Sequence, residues 1–128
     1  MTYDVETARS RCKRYRTRIL EISQQVQALH VAPAFSCMEI TDVIYNELMR
    51  WPDQFKSPDV FVMSKGHGCM SQYVILEDRG ILQKVDLDNY CKPEGRLGAH
   101  PDYGVPGIEA STGSLGHGMG LVTGMAYG

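Results

Sequence analysis

The run VFVMSKGHG (60–68) decides how this chain is read. Val60-Phe61-Val62-Met63 is a short apolar stretch that follows Pro58 and runs directly into a glycine-rich turn. Such a run, bounded by turn formers, predicts a buried strand. Ser64-Lys65-Gly66-His67-Gly68 then turns the chain, and Met70, Tyr73, Val74 and Leu76 follow at helical spacing up to a stop at Gly80. Strand, glycine turn and helix in that order predict an α/β layer with a mostly parallel sheet, in which ligands sit beyond the carboxyl ends of strands.

Toward the N-terminus, Val5, Ala8, Cys12, Tyr15, Ile19, Ile22, Val26 and Leu29 recur in steps of three and four. They predict one helix of about seven turns with a single apolar stripe, closed by Pro33. Ser36-Cys37-Met38-Glu39 reads as a capping box that opens a second helix, with Ile40, Val43, Ile44 and Leu48 as its buried face and an end near Arg50. Toward the C-terminus, a short helical turn is expected over residues 87–91. Residues 92–112, rich in Gly, Pro and Asp, read as an ordered loop over a site.

Gly116, Gly120, Gly124 and Gly128 then repeat every four residues among Leu115, Met119, Leu121, Val122, Met125 and Ala126. On a helix they form one stripe. Each glycine costs roughly 1 kcal/mol relative to alanine, so a closely packed backbone or ligand is expected to offset them. The chain stops in mid-helix, which reads as the end of a truncated chain.

Composition narrows the function. With 43% hydrophobic and 22% charged residues the chain is neither disordered nor a membrane protein, and no stretch approaches the ~18 apolar residues of a span. A net charge of −2 gives no overall basic field, so nucleic acid is not an expected partner. Arg9, Arg11, Lys13, Arg14, Arg16 and Arg18 crowd the first helix and read as a solvated face. The start MTYDVETARSRC has no apolar core after its basic residues, so cytoplasm is the expected location. Cys12, Cys37, Cys69 and Cys91 form no C-x-x-C pair and are expected as free thiols. A zinc set of Cys69, Cys91 and His100 matches no ligand spacing.

All four histidines, His30, His67, His100 and His117, stand in or beside glycine- or proline-containing turns. Imidazoles suit proton transfer near neutral pH, and flanking glycines let a ligand approach. The residues therefore predict a cleft lined by imidazoles. They leave the reaction open.

Three blocks make the chain resemble the transketolases. Ser64-Lys65-Gly66-His67-Gly68 matches the family turn L-S-x-G-H-[AG] after a strand. Ala99-His100-Pro101-Asp102 matches G-H-P-[ED], and residues 107–118 (GIEASTGSLGHG) match G-V-E-x-T-T-G-x-L-G-Q-G. Residues 29–40 (LHVAPAFSCMEI) follow G-H-x-G-G-x-L-S-x-x-E-[IL] more loosely, with Ala32-Pro33 in place of two glycines. The chain resembles in particular the split form, in which two polypeptides share the work of one transketolase.

The resemblance implies a three-layer thiamine-diphosphate-binding fold, of which residues 1–128 would be the N-terminal part. It implies transfer of a two-carbon ketol unit between sugar phosphates. His67 and His100 would line the channel beside the cofactor and bind donor hydroxyls, and His30 would orient or deprotonate the donor. Gly113, Ser114 and Leu115, with His67, would meet thiamine diphosphate. The G-D-G…N motif that holds Mg2+ or Ca2+ is expected beyond residue 128, with no metal ligand in this chain. A C-terminal subunit carrying the pyrimidine-binding domain is the implied partner, and self-association is also expected. The chain alone is expected to be inactive. Deoxyxylulose-phosphate synthase, phosphoketolase or a non-catalytic scaffold domain are the alternatives.

Overall fold

A computed structural model describes residues 4–27 and 30–128. The first helix, α1, spans Val5–Ser23 and is capped by Asp4, whose carboxylate accepts the Glu6 N–H at 3.1 Å. Ala8, Cys12, Tyr15, Ile19 and Ile22 are buried along one stripe, as their spacing requires. Burial of each larger side chain among them contributes on the order of 2 kcal/mol. The helix is shorter than expected. Gln24 and Gln25 donate to the carbonyls of Glu21 and Ile22, tightening the last turn before the chain leaves the axis. Val26 reaches the core from beyond the helix, and Leu29 lies outside the described residues.

The basic cluster on α1 is not a solvated face. Arg11 forks onto Asp42 at 2.9 Å through both bonds, and Arg16 donates to Glu39 at 2.8 Å. Arg18 grips Glu77 twice at 2.9 Å and Asp88 at 2.8 Å. These acidic partners lie on other helices, far away in sequence, so the cations tie α1 to the elements around it.

Helix α2 spans Val31–Ser36 and α3 spans Met38–Val43, continuing as a π turn over Ile44–Leu48. Pro33 does not close a segment: it lies in the first turn of α2, where no intrahelical N–H is needed. The expected capping box is absent too. Ser36 ends α2 and donates to the Pro33 carbonyl at 3.0 Å, and Glu39 turns to Arg16. The buried face of α3 and its π turn is Met38, Thr41, Asp42 and Tyr45, whereas Ile40 and Leu48 are exposed. Arg11 neutralises Asp42, which lets a carboxylate occupy a core position.

A 3-10 turn over Gly66–Gly68 leads into α4, Cys69–Asp78, and every residue from Cys69 to Leu76 is buried. A helix apolar on most sides belongs at the centre, and α1, α2 and α3 pack around it. Gly80, at φ +76, ends it as expected. Helix α5 spans Lys84–Asp88, earlier than expected, because Gln83 and Asp86 form a capping box. The expected ordered loop follows, pinned to the core by Leu97, Val105 and Ile108. Helix α6 spans His117–Tyr127 behind Gly116 at φ +89.

Within α6 only Gly118 is buried, and a Cβ there would stand 2.7 Å from the Ser64 Cβ. The glycine that packs is therefore off the expected stripe. Gly120 and Gly124 face open space among the described residues, and Leu115, Met119, Met125 and Tyr127 are exposed.

The described residues contain no strand, so the expected parallel sheet is not formed here. Residues 60–63 have no ladder partner among them. The Met63 carbonyl accepts the Thr112 hydroxyl at 2.6 Å, and the Ser64 carbonyl accepts the Gly116 N–H at 3.4 Å. A strand exists only as a member of a pair.

Candidate active site

Three histidines from separate segments converge. His30 occupies the N-cap position of α2, His67 sits in the 3-10 turn, and His100 lies in the loop before Pro101. The His30 ring lies 5.9 Å from that of His67 and 5.7 Å from that of His100, centroid to centroid. All three are half-buried. His117 does not join them; it is exposed at the start of α6.

Main-chain packing sets this geometry. Lys65 donates to the Pro33 carbonyl at 2.9 Å and to the Ser36 hydroxyl at 2.6 Å, fastening the His67 turn to the helix that His30 begins. Gly66 presses against the other loop: a Cβ there would meet the Thr112 carbonyl oxygen at 2.8 Å. Thr112 donates its hydroxyl to Met63, and its N–H donates to the Pro101 carbonyl at 3.2 Å. Thr112 thus links the segment before His67 to the one after His100. Gly113 follows beside His100, where an added Cβ would stand 3.9 Å from the imidazole.

Two polar atoms at this junction are buried without a partner, His30 Nδ1 and Ser64 Oγ. An unmet buried polar group costs about 1–3 kcal/mol, so a site that leaves them open is suited to a hydrogen-bonding ligand. Ser114 and Leu115 lie on the exposed approach to α6, next to open main chain. Such an arrangement offers imidazole nitrogens to the oxygens of a polyhydroxylated ligand and a glycine backbone to a flat ring. Among the described residues no group of three or more His, Cys, Asp or Glu is arranged to hold a metal ion. All four cysteines are free.

A cavity of about 550 Å³ lies between α1, α4 and the turn after it, lined by Arg14, Arg18, Glu77 and Asp78. Its charges are paired with one another and it holds none of the histidines, so it is a poorer candidate than the imidazole cluster. Lys65, Thr112 and Ser64 were not singled out by sequence. Thr112 and Met63 are 49 positions apart, and only the S-T-G block hinted at a constraint there.

Residues 8–128 match the sequence family described as transketolase, thiamine diphosphate binding domain. One of the two chains named for the apulose-4-phosphate transketolase of Phocaeicola vulgatus, its first-lettered subunit, is 39% identical over 125 residues, which are 95% of this chain and 44% of that protein. The chloroplastic transketolase of Solanum tuberosum is 31% identical over 115 residues, 84% of this chain and 15% of that protein. A solved transketolase from Leishmania mexicana superimposes with a TM-score of 0.76 at 31% identity, covering 98% of this chain and 19% of the other. The chain thus spans less than half the length of these relatives. No described helix is long and apolar enough to cross a membrane.

Proposed function

The chain belongs to the transketolase thiamine-diphosphate-binding domain family, and on that premise we propose that it serves the diphosphate-binding side of a two-subunit transketolase. The reaction would be transfer of a two-carbon ketol unit between sugar phosphates. The observation that carries this reading is the convergence of His30, His67 and His100 beside Gly113, with His30 Nδ1 buried and unpartnered. The Phocaeicola vulgatus relative, named as one subunit of its transketolase, supports the two-subunit form.

The residues present fit thiamine diphosphate. Gly113 has no side chain over the His100 ring, and Ser114 and Leu115 offer exposed main-chain groups. When bound, the cofactor supplies a carbon nucleophile and an electron sink for the two-carbon fragment. His67 and His100 would donate hydrogen bonds to the donor's hydroxyls and to the oxygen that gains negative charge. His30 would hold the donor's terminal hydroxyl and take its proton. A divalent cation, Mg2+ or Ca2+, would be held by residues outside this chain. The pyrimidine-binding domain and its carboxylate would come from the partner chain. In the complete domain residues 60–63 would pair as a strand of the parallel sheet. By itself the chain is expected to catalyse no ketol transfer.

His100→Ala in the enzyme assembled with its partner tests the reading. Turnover should fall by roughly 10²–10⁴-fold, with stability lowered by no more than a surface change allows, about 1 kcal/mol. Normal turnover per folded molecule would overturn the assignment and favour a scaffold role.

A further inference from the structure

We propose that Tyr73, assisted by Cys69, is the positioning residue that aims His100, an inference that rests on the proposed role of His100. Tyr73 is fully buried on α4, and its ring stands edge-on to that of Tyr90 at 6.4 Å. A phenylalanine would fill that space equally well. The hydroxyl is what differs, and it donates to the His100 carbonyl at 3.0 Å, with the Gly98 carbonyl 3.4 Å away. One turn earlier on the same helix face, the Cys69 thiol donates to the Ala99 carbonyl at 3.3 Å. Burial pushes that thiol up to about 12, so it keeps its proton and stays a donor at any physiological pH. The Thr112 N–H takes the next carbonyl, that of Pro101.

All the carbonyls from Gly98 to Pro101 therefore meet a donor, and α4 side chains serve those from Gly98 to His100. The same helix begins directly after the turn that carries His67. One rigid element thus sets the separation of His67 from His100. Its two donors fix the backbone from which the His100 ring projects, and a loop of this composition could not do so by itself. A shift of an ångström in a positioned group can lower turnover by up to ~10²-fold.

A double-mutant cycle on the assembled enzyme decides. Tyr73→Phe should lower kcat roughly 10-fold, with KM and thiamine diphosphate affinity within about twofold. In a His100→Ala background the same change should lower kcat no further, because the residue it aims is gone. In the cofactor-free protein, the NMR ring resonances of His100 should move on Tyr73→Phe while those of the exposed His117 stay. A wild-type kcat for Tyr73→Phe, an equal loss in both backgrounds, or unmoved His100 resonances would each overturn the inference. Should Tyr73→Phe fail to fold, Cys69→Ala carries the same cycle with a smaller loss, and additivity there would be equally fatal. If His100→Ala itself leaves turnover intact, the functional reading fails. If only Tyr73→Phe does, that reading stands and this inference falls.

Discussion

Replacing Gly66 with alanine should be among the most damaging small substitutions in the chain. The added methyl would meet the Thr112 carbonyl oxygen at 2.8 Å, its carbon at 2.9 Å and the Gly113 Cα at 3.0 Å. That is short of ordinary contact by about half an ångström, against backbone and not the end of a flexible side chain. Thr112 cannot retreat freely, since its hydroxyl holds Met63 and its N–H holds Pro101. Overpacking of this kind costs about 1–3 kcal/mol, and breaking the buried hydroxyl bond adds about 1 kcal/mol. At roughly 4 °C per kcal/mol for a domain of this size, the melting point should fall by about 8–16 °C. Any relaxation moves Gly113 relative to His100, so turnover of the assembled enzyme should drop as well. Thermal melts of wild type, Gly66→Ala and Gly120→Ala under one buffer make the comparison, because Gly120 meets nothing within 4 Å. A Gly66→Ala melt within a degree or two of wild type would refute the close-approach reasoning.

Arg18→Met should destabilise by about 1–3 kcal/mol, because Glu77 and Asp88 lose a forked partner in a largely buried setting. Arg9→Ala, whose pair with Glu6 is exposed, should change stability by under about 0.5 kcal/mol, and urea titration of both checks the contrast. Gly120→Ala should stabilise the isolated chain by up to ~1 kcal/mol, whereas Gly124→Leu should leave it folded and block assembly with the partner; normal assembly on gel filtration would make the glycine stripe mere surface. Arg16 holds Glu39 below its ordinary 4.5, Arg96 holds Asp86 below 3.8, and Lys84 with Arg18 holds Asp88 below 3.8. These pairs stabilise the fold above the ordinary carboxylate values and lose that contribution as pH falls through the depressed ones. Melting points should therefore stay level down to about pH 5 and drop below about pH 4, and a melt unchanged at pH 3 would count against the pairs.

What could be read locally from the sequence proved sound. The stripe of α1 and the stop of α4 at Gly80 depend on neighbours three or four positions away, and both appear as expected. Contacts across many residues were not legible. The Ser36 capping box looked complete within four residues, yet Glu39 turned to Arg16, 23 positions away. The arginines of α1 looked solvated because their carboxylates lie on other helices. Of the four histidines, glycines flank His67 and His117 alike, so composition could not separate the one in the cluster from the one outside it. Matching blocks placed His67 and His100, since a block carries the imprint of a three-dimensional constraint that spacing alone lacks.

The missing sheet and the bare glycines of α6 have one physical origin. An apolar run such as residues 60–63 becomes a strand only when a neighbour supplies donors and acceptors along its whole length. Without one, its backbone must stay near water, and Val60 is 53% exposed. Helix α6 is in the same condition, with Met119 and Tyr127 exposed beside Gly120 and Gly124. The two segments touch at Ser64, whose carbonyl takes the Gly116 N–H and whose Cβ faces Gly118. Gly118 is explained by that contact: any side chain there would collide with the turn leading to His67. Gly120 and Gly124 have no such contact among the described residues, yet each weakens the helix by roughly 1 kcal/mol against alanine. Their compensation must come from a surface that this chain does not itself provide, and that surface would cover the apolar residues beside them in the same step.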